Sequence, residues 1–513
     1  MPLLLFADAA IADPVADASP SYHCLLTVEK VTSLMYPFAH QYTTIPASVQ
    51  AAATRFHTVF AARAFFLQTT AVTGFPDYIV RHASYRRPPA ASPKPPTITS
   101  KQTGAVTMPN SLSPSLLELI YDAASIRRWN DQINPMDFTE LDKQAHKMII
   151  AYVLAKFEEE QAPGSISWLR LIEGGIFEMF HRIVLTDIKP PVFHKMMAEK
   201  GHELNCWVLQ HLEKQTAPIP GGFRDRMEKH FFDPTYASRE KRVLKAAHFL
   251  ATQWEFNILY KMCPFIKGIE QIRQEIEDQI EDHYDLLGVQ KISLGRKTAG
   301  FVDLCGQLRF QKRWSQSPRI PATSVLGHML VVALLSYLAL NEVAACEQRL
   351  INGFLAALFH DLPEVLTRDI TSPIKEAVEG LDGIIKEYER RQMEDRLLPL
   401  LPNAWHAEIR YYTLDEFSNR VKNAQGIRSN LSFADLERDY NDGHDMPVDG
   451  EIIRCCDHLA AFIEASLSIR HGVSSKHLLE GSERLYAMYE QRQVGTMNFG
   501  EVFRHFAPKK NHA

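Results

Sequence analysis

From Leu116 onward the chain carries apolar residues at helical spacing almost without interruption, and that periodicity excludes most folds before composition is considered. LLELIYDAAS, LDKQAHKMIIAYVLAKFEEE and SWLRLIEGGIFEMFHRIV each place apolar residues at i, i+3, i+4 and i+7, which draws a stripe along one side of a 3.6-residue helix. Strand signals are nearly absent, so the fold class read from the sequence is all-α. A length of 513 residues leaves ample chain for a buried core and a prior of roughly three domains. Apolar residues at 46% and charged residues at 23% match ordinary globular protein and exclude wholesale disorder.

Residues 1–107 stand apart. They hold eight Lys+Arg, five Asp+Glu and eleven prolines, five of these within Pro88–Pro96, a composition that packs poorly. The sequence predicts a low-complexity, disordered extension or an over-extended start ahead of Met108. A formal charge of −5 argues against duplex nucleic acid as a partner, because phosphate contacts need a basic surplus. Seven cysteines in no C-x-x-C pair read as reduced thiols. The apolar stretch Val331–Leu340 is short for a membrane span. MPLLLFADAAIAD lacks the basic start of a secretory leader. The expectation is a cytoplasmic protein without a membrane partner.

The second constraint is an internal repeat, which must be settled before single motifs are read. Arg128-Trp129 in SIRRWND is answered by Arg313-Trp314 in FQKRWSQ. His146 and His328 lie 182 residues apart, as do Asp187 in LTDIKPPV and Asp369 in TRDITSPI. AAHFLATQWEF around His248 is answered by CCDHLAAFIEA around Asp457. Four correspondences in one order predict two tandem all-helical domains, 112–285 and 299–505, with a linker at 286–298, where GVQKISLGRKTAG is loop-like and basic, and a tail at 506–513.

Polar residues interrupt the apolar helices of the second domain at few places. His328 lies in VLGHMLVVALLSY, His360-Asp361 closes GFLAALFHD, and Asp457 lies in IIRCCDHLAAFIEA. Burying an imidazole or carboxylate is costly unless it is paired, hydrogen-bonded or metal-bound. Any one alone is more often a satisfied core group than a ligand. Together they make a mixed nitrogen and oxygen shell suited to one divalent metal, with positions left open for water and substrate.

Residues 302–505 resemble the metal-dependent HD-domain phosphohydrolases, in particular the bacterial 5′-deoxynucleotidase-like branch. LRFQKRW, TSVLGHML, FHDLPEVLTRDITSPIK and IIRCCDHLAAFIEA carry the resemblance. It implies His328, His360, Asp361 and Asp457 as metal ligands, for cobalt, manganese, magnesium or zinc without distinction. It implies Glu364, four residues after His360, as the group that orients or deprotonates the attacking water, and Asp369 as a second catalytic aspartate. The alternative for Asp369 is an N-cap to a helix starting near Pro373. Arg313, Trp314 and Lys375 match substrate-pocket positions: a guanidinium suits phosphate and an indole offers a flat wall.

The implied function is removal of phosphate from (deoxy)nucleoside 5′-monophosphates by metal-activated water. The competing readings are hydrolysis of another nucleotide phosphate, such as a dNTP or an alarmone, and a non-catalytic nucleotide sensor. Three features depart from the family. Gly327-His328-Met329 replaces a Glu-His-Ser pattern, Arg368 stands where the family has glycine, and a long polar segment lies between Tyr411 and Asp449. In the first repeat the 182-residue offset puts Glu178-Met179 opposite His360-Asp361. A thioether cannot replace a hard carboxylate ligand, so that degenerate copy is expected to be structural, packed on the second as an intramolecular pseudo-dimer; a homo-oligomer is also compatible with the sequence.

Overall fold

The computed structural model describes residues 111–134, 136–368 and 378–508; the expected extension 1–107 and most of the tail lie outside them. Nine helices carry the argument. They are α1 (Pro114–Asp122), α2 (Glu140–Gln161), α3 (Trp168–Leu185), α4 (Ser238–Met262), α5 (Leu287–Ser293), α6 (Val325–Glu342), α7 (Glu347–Phe359), α8 (Gly450–Arg470) and α9 (Lys476–Tyr489). The architecture is all-α, as the periodicity predicts.

The central element is α6. Its sequence is apolar on every side, and each residue from Val325 to Asn341 is buried. By length and composition this helix could cross a bilayer, contrary to the expectation that no segment approaches that limit. The sequence reading stopped at its polar and small residues, which the structure includes in the helix. Protein covers it instead of lipid: α6 packs against α7, α8 and α2, while α2 packs against α4. A helix apolar all round has to be enclosed on all sides.

One buried apolar cluster runs from Leu112 to Phe506 through both stretches expected as separate domains. The segment expected as a linker, 286–298, forms α5 and enters a further helix, Lys297–Gln307. Leu286 and Val289 are buried. At Gly288 a Cβ would stand 3.0 Å from the Leu154 Cα, so the glycine read as a loop residue is what lets α5 lie against α2.

The polar segment after Tyr411 folds into a small sheet. β1 (Arg420–Asn423) pairs antiparallel with both β2 (Gly426–Ser429) and β3 (Met446–Val448). A short helix, Phe433–Asp439, is started by a capping box between Ser432 and Asp435. These strands went unread because β2, Gly-Ile-Arg-Ser, is exposed along its whole length and shows no alternation.

The insertion is fastened to the core by charge. Arg349 on α7 donates from Nε to Asp449 Oδ2 at 3.0 Å, from Nη2 to Asp449 Oδ1 at 2.7 Å and from Nη1 to Glu437 Oε2 at 2.6 Å. Arg349 and Asp449 are both fully buried. Removing one partner strands the other charge in the interior, so Arg349→Ala is expected to cost about 3–5 kcal/mol, read as a lowered urea midpoint.

Candidate metal centre and its surroundings

Helix α7 ends at Phe359, with His360 as its C-cap, and Glu364 opens a separate turn of helix, Glu364–Thr367. His360 and Glu364 therefore do not share the single continuous helix their spacing suggests; Asp361–Pro363 turns between them. His328 comes from the first turn of α6 and Asp457 from the second turn of α8.

Three ligand atoms, on His328, His360 and Asp361, lie within 4.8 Å of one another. Asp457 joins through Oδ1, 2.9 Å from His328 Nε2. Asp361 Oδ2 is 3.2 Å from His360 Nε2 and 4.0 Å from His328 Nε2. Arg313 covers the cluster, with Nη1 3.7 Å from Asp361 Oδ2 and Nη2 3.9 Å from Asp457 Oδ1. All four expected ligands are thus brought together beneath the expected substrate arginine.

The donor set fits a metal ion. His360 donates from Nδ1 to the Ala357 carbonyl at 2.7 Å, which leaves Nε2 facing the cluster. That Nε2 is buried, with the Asp361 carboxylate 3.2 Å away. Burial drives the His360 pKa down, but Asp361 beside it reverses this and raises it to about 9. Burial opposes the charge of Asp457 as well, yet His328 and then His360 hold its carboxyl far below the usual range. Two carboxylates that stay ionised, and that raise the proton affinity of the two imidazoles beside them, give the site an excess of negative charge that suits a cation.

Behind His328 stands a residue that the sequence reading missed. Glu464, fully buried on α8, brings Oε1 to 3.5 Å from His328 Nδ1. It accepts from Thr323 Oγ1 at 2.7 Å and from Trp314 Nε1 at 3.1 Å, and lies 3.8 Å from Arg319 Nη1. Burial works against its charge, but Arg319 and His328 keep it ionised. The sequence signal was present: Glu464 is seven residues after Asp457, as Glu255 is after His248.

Glu464 also resolves the departure at Gly327. A Cβ there would stand 2.8 Å from Asp142 Oδ1 and 3.0 Å from Leu141 Cδ2. A larger residue at 327 would require Leu141 and Asp142 of α2 to shift, and in this chain a carboxylate next to His328 comes from α8. Trp314 spends its indole N–H on Glu464 and packs an edge on Gly481, so it positions the loop as well as walling the site. Glu364 is buried, and its backbone N–H donates to the Asp361 carbonyl at 3.1 Å. Arg368 has φ 69° and ψ 159°, backbone that glycine adopts freely, which explains the glycine of the family pattern. Asp369 and Lys375 lie outside the described residues.

Several local contacts of the first half resemble those around this site, with different residues. Arg127 bridges Thr139 as Lys312 bridges Ser324, and Trp129 and Trp314 share φ 57°. Trp129 donates to Glu255 at 2.9 Å as Trp314 does to Glu464. Arg127 and Lys312, Thr139 and Ser324, and Trp129 and Trp314 are each 185 residues apart, an offset that sets Lys143 rather than His146 opposite His328. His146 is a core histidine: it donates from Nε2 to the Val302 carbonyl at 2.9 Å, and burial pushes its pKa down to about 3. Lys143 is fully buried with its Nζ against His248, the residue opposite Asp457. Glu178 pairs with Lys147, Met179 is buried, and Asp187 pairs with Arg182.

Residues 305–486 match the family model described as HD domain. The stretch contains both histidines and both aspartates of the cluster. That stretch, and not the chain as a whole, is similar to an HD domain. Over 134 residues the chain is 28% identical to a 5′-deoxynucleotidase of Pasteurella multocida (strain Pm70). That alignment covers 25% of this chain and 66%, just short of two thirds, of the bacterial protein, so the resemblance is to the 5′-deoxynucleotidase-like members.

Two outcomes follow from the buried charges. Glu464→Leu leaves Trp314 and Thr323 without their acceptor and Arg319 without its ion-pair partner, and is expected to cost about 3–5 kcal/mol by urea titration, with Glu464→Gln milder. Burial holds the Lys143 pKa well below its ordinary value. Between that depressed value and the unfolded one, the folded chain binds fewer protons, so stability rises with pH and falls as pH drops toward the folded pKa. Lys143→Met is expected to raise the neutral-pH melting temperature and to flatten that part of the profile.

Proposed function

We propose that the chain is a metal-dependent phosphohydrolase acting on nucleoside 5′-monophosphates, with deoxynucleotides as the first substrates to test. The observation that carries this reading is the convergence of His328, His360, Asp361 and Asp457 in one buried cluster capped by Arg313. Those four side chains would hold one divalent ion, which supplies Lewis acidity and an acidified water.

The chain's own residues account for the rest. Glu364 accepts the proton of the attacking water on a carboxylate oxygen. The water oxygen bonds to phosphorus as the bond from phosphorus to the ester oxygen breaks, and the departing 5′-oxygen takes up a proton; Asp369 is the proposed carrier. Arg313 offers two N–H groups to the phosphoryl oxygens, where negative charge grows in the transition state. Lys375 is a further candidate for the phosphate. Trp314 fixes this loop through Glu464.

The first half is read as a degenerate copy of the same unit, packed through α2 on α6 as a pseudo-dimer. In it the Lys143 ammonium stands where the second half would place its metal, so the copy needs no ion.

Inorganic phosphate release from a deoxynucleoside and nucleoside monophosphate panel, with cobalt, manganese, magnesium or zinc, tests the reading. Phosphate release by the wild type, about one metal per chain by elemental analysis, and loss of both in Asp361→Ala are expected. Glu364→Gln is expected to lower kcat by about 10²–10⁴ with metal retained, and Met179→Ala to leave turnover unchanged. Nucleotide binding without turnover under every metal would instead make the chain a sensor.

A further inference from the structure

A cavity adjoins the metal cluster without coinciding with it, and one wall is built by the inserted segment. It encloses about 780 Å³, within the range of small-ligand pockets. Phe417, Asn430 and Leu431 contribute from the insertion, Arg454 and His458 from α8, and Tyr489 from the end of α9.

The pocket and the cluster share structure. His458 follows Asp457 directly, and Arg454 lies one turn before it. The Phe417 ring is 6.4 Å from the His360 ring, so Phe417 stands between the metal cluster and the cavity. The Arg454 guanidinium lies 5.5 Å from the centre of the Phe417 ring and donates to the Phe417 carbonyl at 3.4 Å. Arg454 has no ion pair among the described residues. His458 and Tyr489 form a hydrogen-bonded pair, Nδ1 to Oη, at 2.8 Å.

The wall is built to stay in place. Glu451 donates its N–H to Asn419 Oδ1 at 2.9 Å and accepts from Asn419 Nδ2 at 3.3 Å. Arg420, buried, donates to the carbonyls of Tyr411 at 2.7 Å, Asp415 at 2.8 Å and Ser418 at 3.0 Å. At Gly450 a Cβ would collide with the backbone of Phe417 and Ser418, so the first residue of α8 has to be glycine for the insertion to sit this close.

We propose that this cavity binds the nucleoside portion of the substrate and that the inserted segment sets base preference. The inference rests on the phosphohydrolase reading for the word substrate, but the pocket itself is independent of the metal. A phosphate held at the cluster leaves its nucleoside facing the Phe417 and Arg454 wall. A planar base suits the ring and guanidinium faces. Its polar edge meets Asn430 and the His458–Tyr489 pair. Phe417 and Arg454 are the specificity-determining residues.

The test uses full-length protein stripped with a chelator, with deoxyadenosine, deoxyguanosine, thymidine and deoxycytidine as probes, each followed by calorimetry and saturation-transfer NMR. Wild type is expected to bind at least one of them at a single site. Phe417→Ala and Arg454→Ala are expected to weaken that binding roughly tenfold or more, with far-UV circular dichroism unchanged. Gly450→Ala, which displaces the wall without removing a contact group, is expected to weaken it too. In metal-loaded protein Phe417→Ala should raise KM for the favoured nucleotide more than it lowers kcat. Nucleoside binding that is absent in wild type, or unaltered in both alanine variants, overturns the pocket assignment even if phosphate is released. Nucleoside binding lost in the variants, with no phosphate release by wild type under any metal, upholds the pocket and removes the phosphohydrolase reading alone.

Discussion

A single buried carboxylate organises this site. Glu464 gathers a threonine hydroxyl, an indole N–H, a guanidinium and a metal-facing imidazole around two oxygens. A charge in such surroundings is tolerable only while every partner is present, so the loop carrying Arg313 and Trp314, the start of α6 and the middle of α8 are tied to one point. The orientation of His328 follows from this, since its outward nitrogen faces Asp457 only because the other faces Glu464.

The two halves of the chain solve one electrostatic problem in two ways. In the second half, carboxylates and imidazoles converge, and a cation from outside would relieve them. In the first half, Lys143 lies buried against His248 at the position that a 185-residue offset sets opposite His328. Burial lowers the affinity of Lys143 for its proton.

Much of this was legible in the sequence. Helical periodicity gives the all-α core, and the polar interruptions of apolar helices pick out His328, His360, Asp361 and Asp457, which the structure gathers. What escaped was of two physical kinds. Glu464 and Arg319 act through contacts between distant segments, and in sequence Glu464 is one acidic residue in an ordinary helix. The repeat register also slipped by three residues along α2, because a buried histidine, His146, lies almost one turn beyond the true counterpart, and helical patterns tolerate a shift of three or four. The 185-residue spacing of the Arg-Trp pairs themselves carried the right register. The sheet at 420–448 was invisible for a third reason, its strands being too short and too exposed to alternate.

The contact of α2 with α6 joins two parts of one polypeptide, at Ser324 and Asp142 among other places. A dimer assembled from separate chains loses that contact on dilution, whereas a tethered partner is always present at high effective concentration. The helix that carries His328 therefore keeps the same neighbour however scarce the protein becomes, and its packing does not depend on expression level.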